Sequence, residues 1–173
     1  MDEIGWLSDV VVRTATELDL PSLEWDGEYI HFRNLFSQVF ASSREGKAVI
    51  WLADHRWNGV IGQVFVQLNS GRRELADGTQ RGYIYGFRVK PAFRRAGLGS
   101  LMLANVERDL FNRGFAWATL NVSQDNPEAI NFYQRFGYSI FDEEPGDWTY
   151  LDHQGILREV HEPAFRLMKK LVD

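Results

Sequence analysis

The chain has 173 residues, of which 45% are apolar and 14% aromatic, so it can bury a core of its own and is short enough to form one domain. Nineteen Lys and Arg residues against 24 Asp and Glu residues leave a net charge of −5, which gives no general attraction for nucleic acids or anionic membranes. There is no cysteine, which excludes disulfides, thiolate metal sites and thiol nucleophiles.

The N-terminal residues Met1-Asp2-Glu3 are acidic, and no basic segment followed by an apolar one succeeds them. No apolar run in the sequence approaches the length of a membrane span. We therefore expect a single cytoplasmic domain over residues 1–173, with neither a nucleic acid nor a membrane as partner.

Strand-like runs recur through the chain, each rich in β-branched or aromatic residues and bounded by turn-forming residues. They lie at residues 10–14, 48–53, 60–68, 83–89, 116–122, 138–141, 148–151, 156–160 and 164–171. Between the second and third runs, Asn58-Gly59 favours a tight turn, so we expect these two strands to be antiparallel neighbours. The polar residues 69–80, with two glycines, predict a surface loop.

Helical patterns alternate with these strands. Asp19 is a suitable cap for a first helix that begins near Pro21, and apolar residues spaced three and four apart predict a second helix over residues 28–43. Similar patterns predict helices over residues 98–113 and 127–136. The order β-α-α-β-β-β-α-β-α-β, followed by C-terminal strands, predicts an α/β fold with a mixed sheet flanked by helices.

The most informative stretch is R-R-A-G-L-G, Arg94 to Gly99, which joins a predicted strand to a predicted helix. Glycines let a backbone approach an anion closely, and the first N–H groups of a helix have no internal partner. The stretch therefore predicts a phosphate cradle. A nucleotide-hydrolysing P-loop would need Lys where Ser100 stands, and a dinucleotide fingerprint would need a third glycine where Met102 stands, so both are disfavoured.

Two segments carry a resemblance to a known family, the GNAT superfamily of acetyl-CoA-dependent N-acetyltransferases. Its pyrophosphate loop has Arg or Gln, two residues, Gly, one residue, and Gly or Ala, and Arg94, Gly97 and Gly99 match this pattern. The segment N-P-E-A-I-N-F-Y-Q-R-F-G-Y, Asn126 to Tyr138, resembles a later motif, in which Asn opens a helix and an aromatic pair lies in its middle. The resemblance spans residues 10–171 and implies the GNAT fold, with a mostly antiparallel central sheet.

The resemblance implies acetyl-CoA as the acyl donor and no metal. Its pyrophosphate is expected to contact the backbone of Arg94, Arg95, Ala96, Gly97, Leu98, Gly99 and Ser100. The strand before this loop is expected to part from the strand after the helix, with the pantetheine arm between them. Contacts to that arm are expected from Phe87, Arg88, Val89, Asn121, Val122, Ser123 and Asn126. In the family a tyrosine protonates the departing thiolate as general acid, and Tyr133 matches it.

The sequence departs from the family pattern at the general base. Many relatives place a glutamate on the strand before the loop, whereas R-G-Y-I-Y-G-F-R-V there has neither a carboxylate nor a histidine. An ammonium group must lose a proton before it attacks a thioester, so another route is required. Two routes stay open: water beside Tyr83 or Tyr85, or side chains from the first two helices. There Glu24, Glu28 and His31 are candidates for the acceptor pocket, and Glu28 and His31 are the candidates for a base.

The resemblance implies transfer of an acetyl group to a primary amine by direct attack in a ternary complex. Because the strand before the loop has no carboxylate, a second hypothesis stays open: a non-catalytic acyl-CoA-binding sensor or scaffold with the same fold. A longer acyl donor or a hydroxyl acceptor also stays open, and the acceptor amine is either a small molecule or a peptide. His55, His153 and His161 have no ligand-like spacing, so no metal site is expected. The sequence does not determine the oligomeric state, and edge strands near the C-terminus make a homodimer possible.

Overall fold

The computed structural model describes residues 5–172, so the acidic Met1-Asp2-Glu3 segment lies outside the described residues. The helices and strands are β1 (Val10–Thr14), α1 (Arg33–Arg44), β2 (Ala48–His55), β3 (Gly59–Gln67), β4 (Arg81–Val89), α2 (Leu98–Asn112), β5 (Trp117–Ser123), α3 (Pro127–Arg135), β6 (Ser139–Glu144), β7 (Asp147–Leu151), β8 (Leu157–His161) and β9 (Ala164–Lys170). Each of the nine predicted strands is present, with ends shifted by a few residues.

Seven strands form one sheet in the order β1-β2-β3-β4-β5-β9-β6, and β7 and β8 form a separate hairpin. Neighbouring strands are antiparallel except β4 and β5, which run parallel. The predicted α/β fold with a mixed, mostly antiparallel sheet is thereby confirmed. The predicted turn between β2 and β3 is also confirmed, because His55 pairs with Gly59 across it.

The two helices predicted between β1 and β2 differ from the structure. Instead of a helix beginning near Pro21, the chain forms a 3-10 segment, Glu17–Gly27, whose N-cap is Thr16 and not Asp19. Asp19 lies three residues further on and accepts a hydrogen bond from the Thr16 backbone N–H at 2.7 Å. The capping role predicted for Asp19 is therefore reversed, since its carboxylate reaches back to the residue before the helical segment.

The second predicted helix begins later than residue 28. Trp25 and Asp26 have φ angles of 46° and 55°, in the left-handed region, and a further 3-10 turn, Ile30–Phe32, precedes α1. The Asp26-Gly27 pair is a turn signal, and a left-handed pair cannot continue an α-helix. The regular helix therefore starts only at Arg33, and residues 28–32 do not follow the helical periodicity that the sequence suggested.

Helices pack on the two faces of the sheet and form two core clusters. The apolar side of α2 lies in one cluster, together with α3 residues. Its members Leu98, Met102, Val106 and Leu110 are at most 1% exposed. Phe36 of α1 packs in the other cluster with Phe65 of β3. Full burial of one such side chain stabilises the fold by about 1.5–3 kcal/mol.

The polar segment at residues 69–80 is a loop, but it is anchored to the sheet rather than lying free on the surface. Leu75 and Ala76 within it are buried, and the hydroxyl of Thr119 on β5 donates to the Leu75 carbonyl at 2.8 Å. This anchoring brings Arg72 of the loop to the sheet. Of the helices in residues 5–172, none has both the length and the apolar character needed to cross a bilayer.

Candidate active site

β4 and β5 run side by side only at their start. They pair in parallel from Arg81 opposite Trp117 to Ile84 opposite Leu120, and the pairing ends there although both strands continue. Beyond this point the two strands part, and a cavity of about 700 Å³ opens at the gap. The parting agrees with the gap that the resemblance led us to expect for the pantetheine arm.

A β-bulge in β4 explains why the strands part at this position. Two residues of β4, Gly86 and Phe87, oppose the single residue Val64 of β3. Gly86 has a φ of +59°, and a Cβ built there would lie 2.6 Å from Cδ2 of Phe65. Glycine is therefore required, since any side chain would meet the Phe65 ring. A bulge bends its strand, and this one lies just beyond Ile84, where the pairing of β4 with β5 ends.

The cavity brings together most of the residues predicted for the pantetheine arm. Its wall includes Phe87, Arg88, Asn121, Val122, Ser123, Asn126 and Tyr133. Val89 and the loop residues 94–100 do not line it. The loop lies beside α3 instead: Arg95 approaches Glu128 at 3.8 Å, and a Cβ at Gly99 would lie 3.7 Å from the Phe132 ring.

Tyr133 projects from α3 into this wall. Its ring packs edge-on against Phe132 and Tyr138, with centroids 5.2 and 5.7 Å away. Burial raises the pKa of Tyr133 to about 12, so the phenol is protonated at neutral pH. A protonated hydroxyl on the cavity wall has the state that a general acid requires.

Two asparagines on the wall differ in how fully their polar atoms are hydrogen-bonded. Asn121 donates from Nδ2 to the Tyr83 hydroxyl at 3.2 Å, but its buried Oδ1 accepts no hydrogen bond from any described residue. Asn126 caps α3, as predicted, by accepting from the Ala129 N–H at 3.1 Å. An unsatisfied buried acceptor costs about 1–3 kcal/mol, which a ligand that donates to Asn121 would recover.

The glycine loop has the backbone geometry of an anion site. Gly97 has a φ of +92°, and α2 begins at the next residue. The first N–H of the helix to bond back is that of Leu101, which donates to the Gly97 carbonyl at 3.0 Å. The preceding N–H groups of the first helical turn are thus open to an anion, at the end of the helix where the dipole favours negative charge.

The two arginines of the loop are exposed. Arg94 donates from Nε to the carbonyl of Val89 at 2.7 Å and so ties the loop to the end of β4. The side chain of Arg95 is 86% exposed, and its approach to Glu128 is too solvated to hold it. Both guanidinium groups can therefore turn to a phosphate group.

The wall that faces α1 is aromatic. Tyr83 and Tyr85 stack with centroids 5.4 Å apart, and Phe32 stacks with Trp148 of β7 at 6.2 Å. Burial raises the pKa of Tyr83 to about 12 and that of Tyr85 further, so both phenols are neutral at physiological pH. The sequence patterns did not indicate Trp148, because β7 carries no motif beyond its strand-like composition.

Glu144 is a second wall residue that the sequence did not indicate. Its carboxylate accepts hydrogen bonds from Arg72 at 2.5 Å and from Arg166 at 2.7 Å. Burial opposes ionisation, but the hydrogen bonds from Arg72, the Gly146 N–H and Arg166 together hold the pKa of Glu144 below its usual range. Glu144 of β6 is therefore an ionised carboxylate paired with Arg72 of the loop at residues 69–80 and with Arg166 of β9. In this state it is poorly suited to accept a proton.

Glu28 and His31, the predicted base or acceptor residues, do not line the cavity. Glu28 is exposed after the left-handed turn, and the His31 ring packs on Phe32 at 4.2 Å with Tyr150 at 6.1 Å. The prediction assumed a regular helix over residues 28–43, and the 3-10 turn points these side chains elsewhere. Within the described part of the chain, no three His, Asp or Glu side chains cluster as metal ligands.

Parting strands, a glycine loop at a helix N-terminus and a capped helix bearing a tyrosine are together the features of the acetyltransferase class indicated by the resemblance. A family model described as "Acetyltransferase (GNAT) family" matches residues 13–138. The chain therefore belongs to the GNAT family of acetyltransferases.

Individual relatives are distant. The chain is 28% identical over 92 residues to a mycothiol acetyltransferase of Nocardiopsis dassonvillei, a match that covers 53% of this chain and 28% of that protein. The chain thus spans little more than a quarter of this relative's length. Two solved structures resemble this chain at 18% identity. Ard1 from Thermoplasma volcanium has a TM-score of 0.72, and the match covers 95% of this chain and 99% of Ard1. Arabidopsis thaliana NAA60 in complex with acetyl-CoA has a TM-score of 0.70, and the match covers 94% of this chain and 98% of NAA60. At this identity the structures show a shared fold.

Proposed function

We propose that this protein transfers the acetyl group of acetyl-CoA to a primary amine by direct attack within a ternary complex. The observation that carries the proposal is the cavity at the gap between β4 and β5, with Tyr133 on its wall and the glycine loop beside α3. Family membership supports acetyl transfer, and the fold is shared with NAA60, whose structure was solved with acetyl-CoA.

Donor binding would use the groups that the fold leaves unpaired. The pyrophosphate would accept hydrogen bonds from the N–H groups at the start of α2, with Arg94 and Arg95 adding positive charge. The pantetheine arm would lie in the gap and pair with the free edge of β4 beyond Ile84. Asn126 would donate to it from Nδ2, because its Oδ1 is engaged in capping α3.

Starting from the ammonium, nitrogen must lose two protons, one before the attack and one as the amide forms, and sulfur must gain one. The neutral amine attacks the thioester carbonyl, the tetrahedral intermediate collapses, and the carbon–sulfur bond breaks while the nitrogen gives its second proton to water and the amide forms. Tyr133 would give its proton to the departing sulfur, so that coenzyme A leaves as the thiol, and would regain a proton from the solvent. Holding both substrates in one cavity makes the attack effectively unimolecular.

Removal of the proton from the acceptor ammonium would proceed through water beside Tyr83 and Tyr85. Tyr83 and the unpartnered Oδ1 of Asn121 offer such a water a hydroxyl and an acceptor. Both tyrosines are neutral, so they would orient the water and not act as bases. The route through Glu28 or His31 stays a prediction and has less support, because neither side chain lines the cavity.

The test is an acceptor screen with purified protein, acetyl-CoA and a free-thiol readout, accompanied by calorimetric titration with acetyl-CoA. Thiol release that depends on a particular amine, together with the matching acetylated product by mass spectrometry, is the expected result. Tight coenzyme binding without thiol release for any amine would contradict acetyl transfer. That outcome would instead favour the non-catalytic sensor suggested by the absence of a carboxylate on β4.

A further inference from the structure

One cation on the cavity wall forms no ion pair and no side-chain hydrogen bond with any residue that the structure describes. The guanidinium of Arg88 lies 3.9 Å from the centroid of the Tyr29 ring and 5.3 Å from that of Phe32. Its Nη1 is buried and donates no hydrogen bond within the described chain. Burial lowers the pKa of Arg88, and the neighbouring Tyr29 and Glu28 oppose that shift without forming an ion pair. An arginine nevertheless stays charged at neutral pH.

The other arginine on the wall is in a different state. Arg72 is paired with Glu144, and Arg166 closes the same cluster from β9. The remaining carboxylates of the wall, Asp147 and Glu162, are exposed, and Asp147 forms a hydrogen bond with the His161 ring. The wall thus combines one half-buried cation, which is unpaired within residues 5–172, with exposed anions, an arrangement that suits a ligand carrying both charges.

The position of the Arg88 side chain assigns that side chain to the acceptor, while the Arg88 backbone stays among the groups expected to contact the pantetheine arm. Its contacts Tyr29 and Phe32 pack with the α1 cluster, whereas Tyr133 packs with the α2 and α3 cluster on the other face of the sheet. The planar fork of a guanidinium matches a carboxylate with two parallel hydrogen bonds. Aromatic rings on its flanks keep water away and strengthen that pairing.

We propose that Arg88 binds a carboxylate of the acceptor, so that the acceptor is an amine that also bears a carboxylate, such as an amino acid. The inference rests on the proposed acetyl transfer. Phe36, Phe65 and Trp148 on the same cavity wall favour an acceptor with an apolar or aromatic body. The ammonium group would be drawn by the exposed carboxylates, while Arg88 fixes the other end.

The test compares each acid with its own carboxamide. L-Phenylalanine and γ-aminobutyrate are assayed for thiol release against L-phenylalaninamide and γ-aminobutyramide. Binding of N-acetyl-L-phenylalanine and its amide is measured by calorimetry, which needs no turnover. Because hydrogen bonds to a charged group are strong, the acids should be preferred by roughly 10- to 100-fold.

Substitutions at Arg88 locate the source of the preference. Arg88→Gln should bring the acid-to-amide ratio close to one in both assays, and Arg88→Lys should retain part of it because charge remains but the fork is lost. Arg56→Gln is the matched control, since Arg56 also lies over an aromatic ring, that of Trp57 at 4.6 Å, but is exposed and off the cavity wall. Far-ultraviolet circular dichroism and acetyl-CoA affinity monitor the fold.

The outcomes separate the two proposals. Equal handling of acids and amides by the wild-type protein, or an unchanged preference in Arg88→Gln, overturns the role of Arg88. Thiol release without a preference for acids over amides would support acetyl transfer and refute the role of Arg88. Selective binding of the acetylated acid without thiol release for any amine would support Arg88 and refute acetyl transfer.

Discussion

Replacement of Gly86 by alanine is expected to destabilise the protein strongly and to weaken its binding of acetyl-CoA. Gly86 holds the bulge at which β4 leaves β5, with a φ of +59°. Forcing an L-residue into a left-handed conformation costs about 1–2 kcal/mol. The new Cβ would also lie 2.6 Å from the Phe65 ring, which is 1% exposed and has no space to retreat.

Relief of that contact by repacking adds about 1–3 kcal/mol, so the total cost of Gly86→Ala should be about 2–5 kcal/mol. Gly155→Ala is the matched control. Gly155 also has a positive φ, +78°, but nothing lies within 4 Å of a Cβ built there. The free energy of unfolding of Gly155→Ala should therefore fall only by the cost of the left-handed conformation. The difference in unfolding free energy between the two variants then measures the cost of the contact with Phe65.

The assay is urea unfolding of both variants, followed by calorimetric titration with acetyl-CoA. In a Phe65→Leu background the ring is absent, and Gly86→Ala should then cost no more than Gly155→Ala. Equal unfolding free energies for the two single variants would refute the steric argument. A destabilised Gly86→Ala variant that binds acetyl-CoA as well as the wild type would refute the link between the bulge and the gap.

Three further predictions concern single side chains. Tyr133→Phe should lower kcat about a hundredfold with little change in acetyl-CoA affinity. Tyr138 is off the cavity wall, so Tyr138→Phe should leave kcat unchanged. Equal losses of kcat in the two variants would argue against Tyr133 as general acid. A hydrogen bond from Arg13 lowers the pKa of Asp19 from 3.8 to about 2, although burial opposes this shift. The stability that the ionised Asp19 adds is therefore present at neutral pH and is lost as the pH falls from 3.8 toward about 2. Asp19→Asn should therefore be less stable at pH 7 by about 1 kcal/mol and converge with the wild type in acid unfolding curves. If Glu28 or His31 serves the acceptor, Glu28→Gln and His31→Ala each lower turnover and spare coenzyme affinity, and wild-type rates in both would exclude that role.

The local structure of the proposed donor side was largely predictable from sequence because its determinants are local. Gly97 and Gly99 mark a helix start, and Asn126 is a helix cap whose geometry depends on the next three residues. Motifs of this kind determine the backbone conformation within one helical turn, so the amino-acid sequence of the motif is sufficient to predict it. The order of strands followed in the same way from composition and turn residues.

The acceptor side was not predictable because its residues meet only through the tertiary fold. Glu144 and Trp148 come from C-terminal strands, Arg72 from a loop that looked like plain surface, and Phe32 from a segment predicted as α-helix. No periodicity connects positions so far apart in the chain. The failure over residues 28–32 has a local cause as well, since the left-handed Asp26 interrupts a pattern of apolar spacing that continues across the break.

The separation of these two sides along the chain has a consequence for how the protein can diversify. The family match ends at residue 138, after the loop, α2, β5 and α3, while three of the five charged wall residues and the aromatic Trp148 lie between residues 144 and 164. Because β7 and β8 form a hairpin of their own outside the main sheet, their sequence can change without altering a strand that borders the coenzyme gap. Exchange of this hairpin can therefore change the cavity wall at Asp147 and Trp148 while Arg88 and the strands proposed to hold the coenzyme stay unchanged.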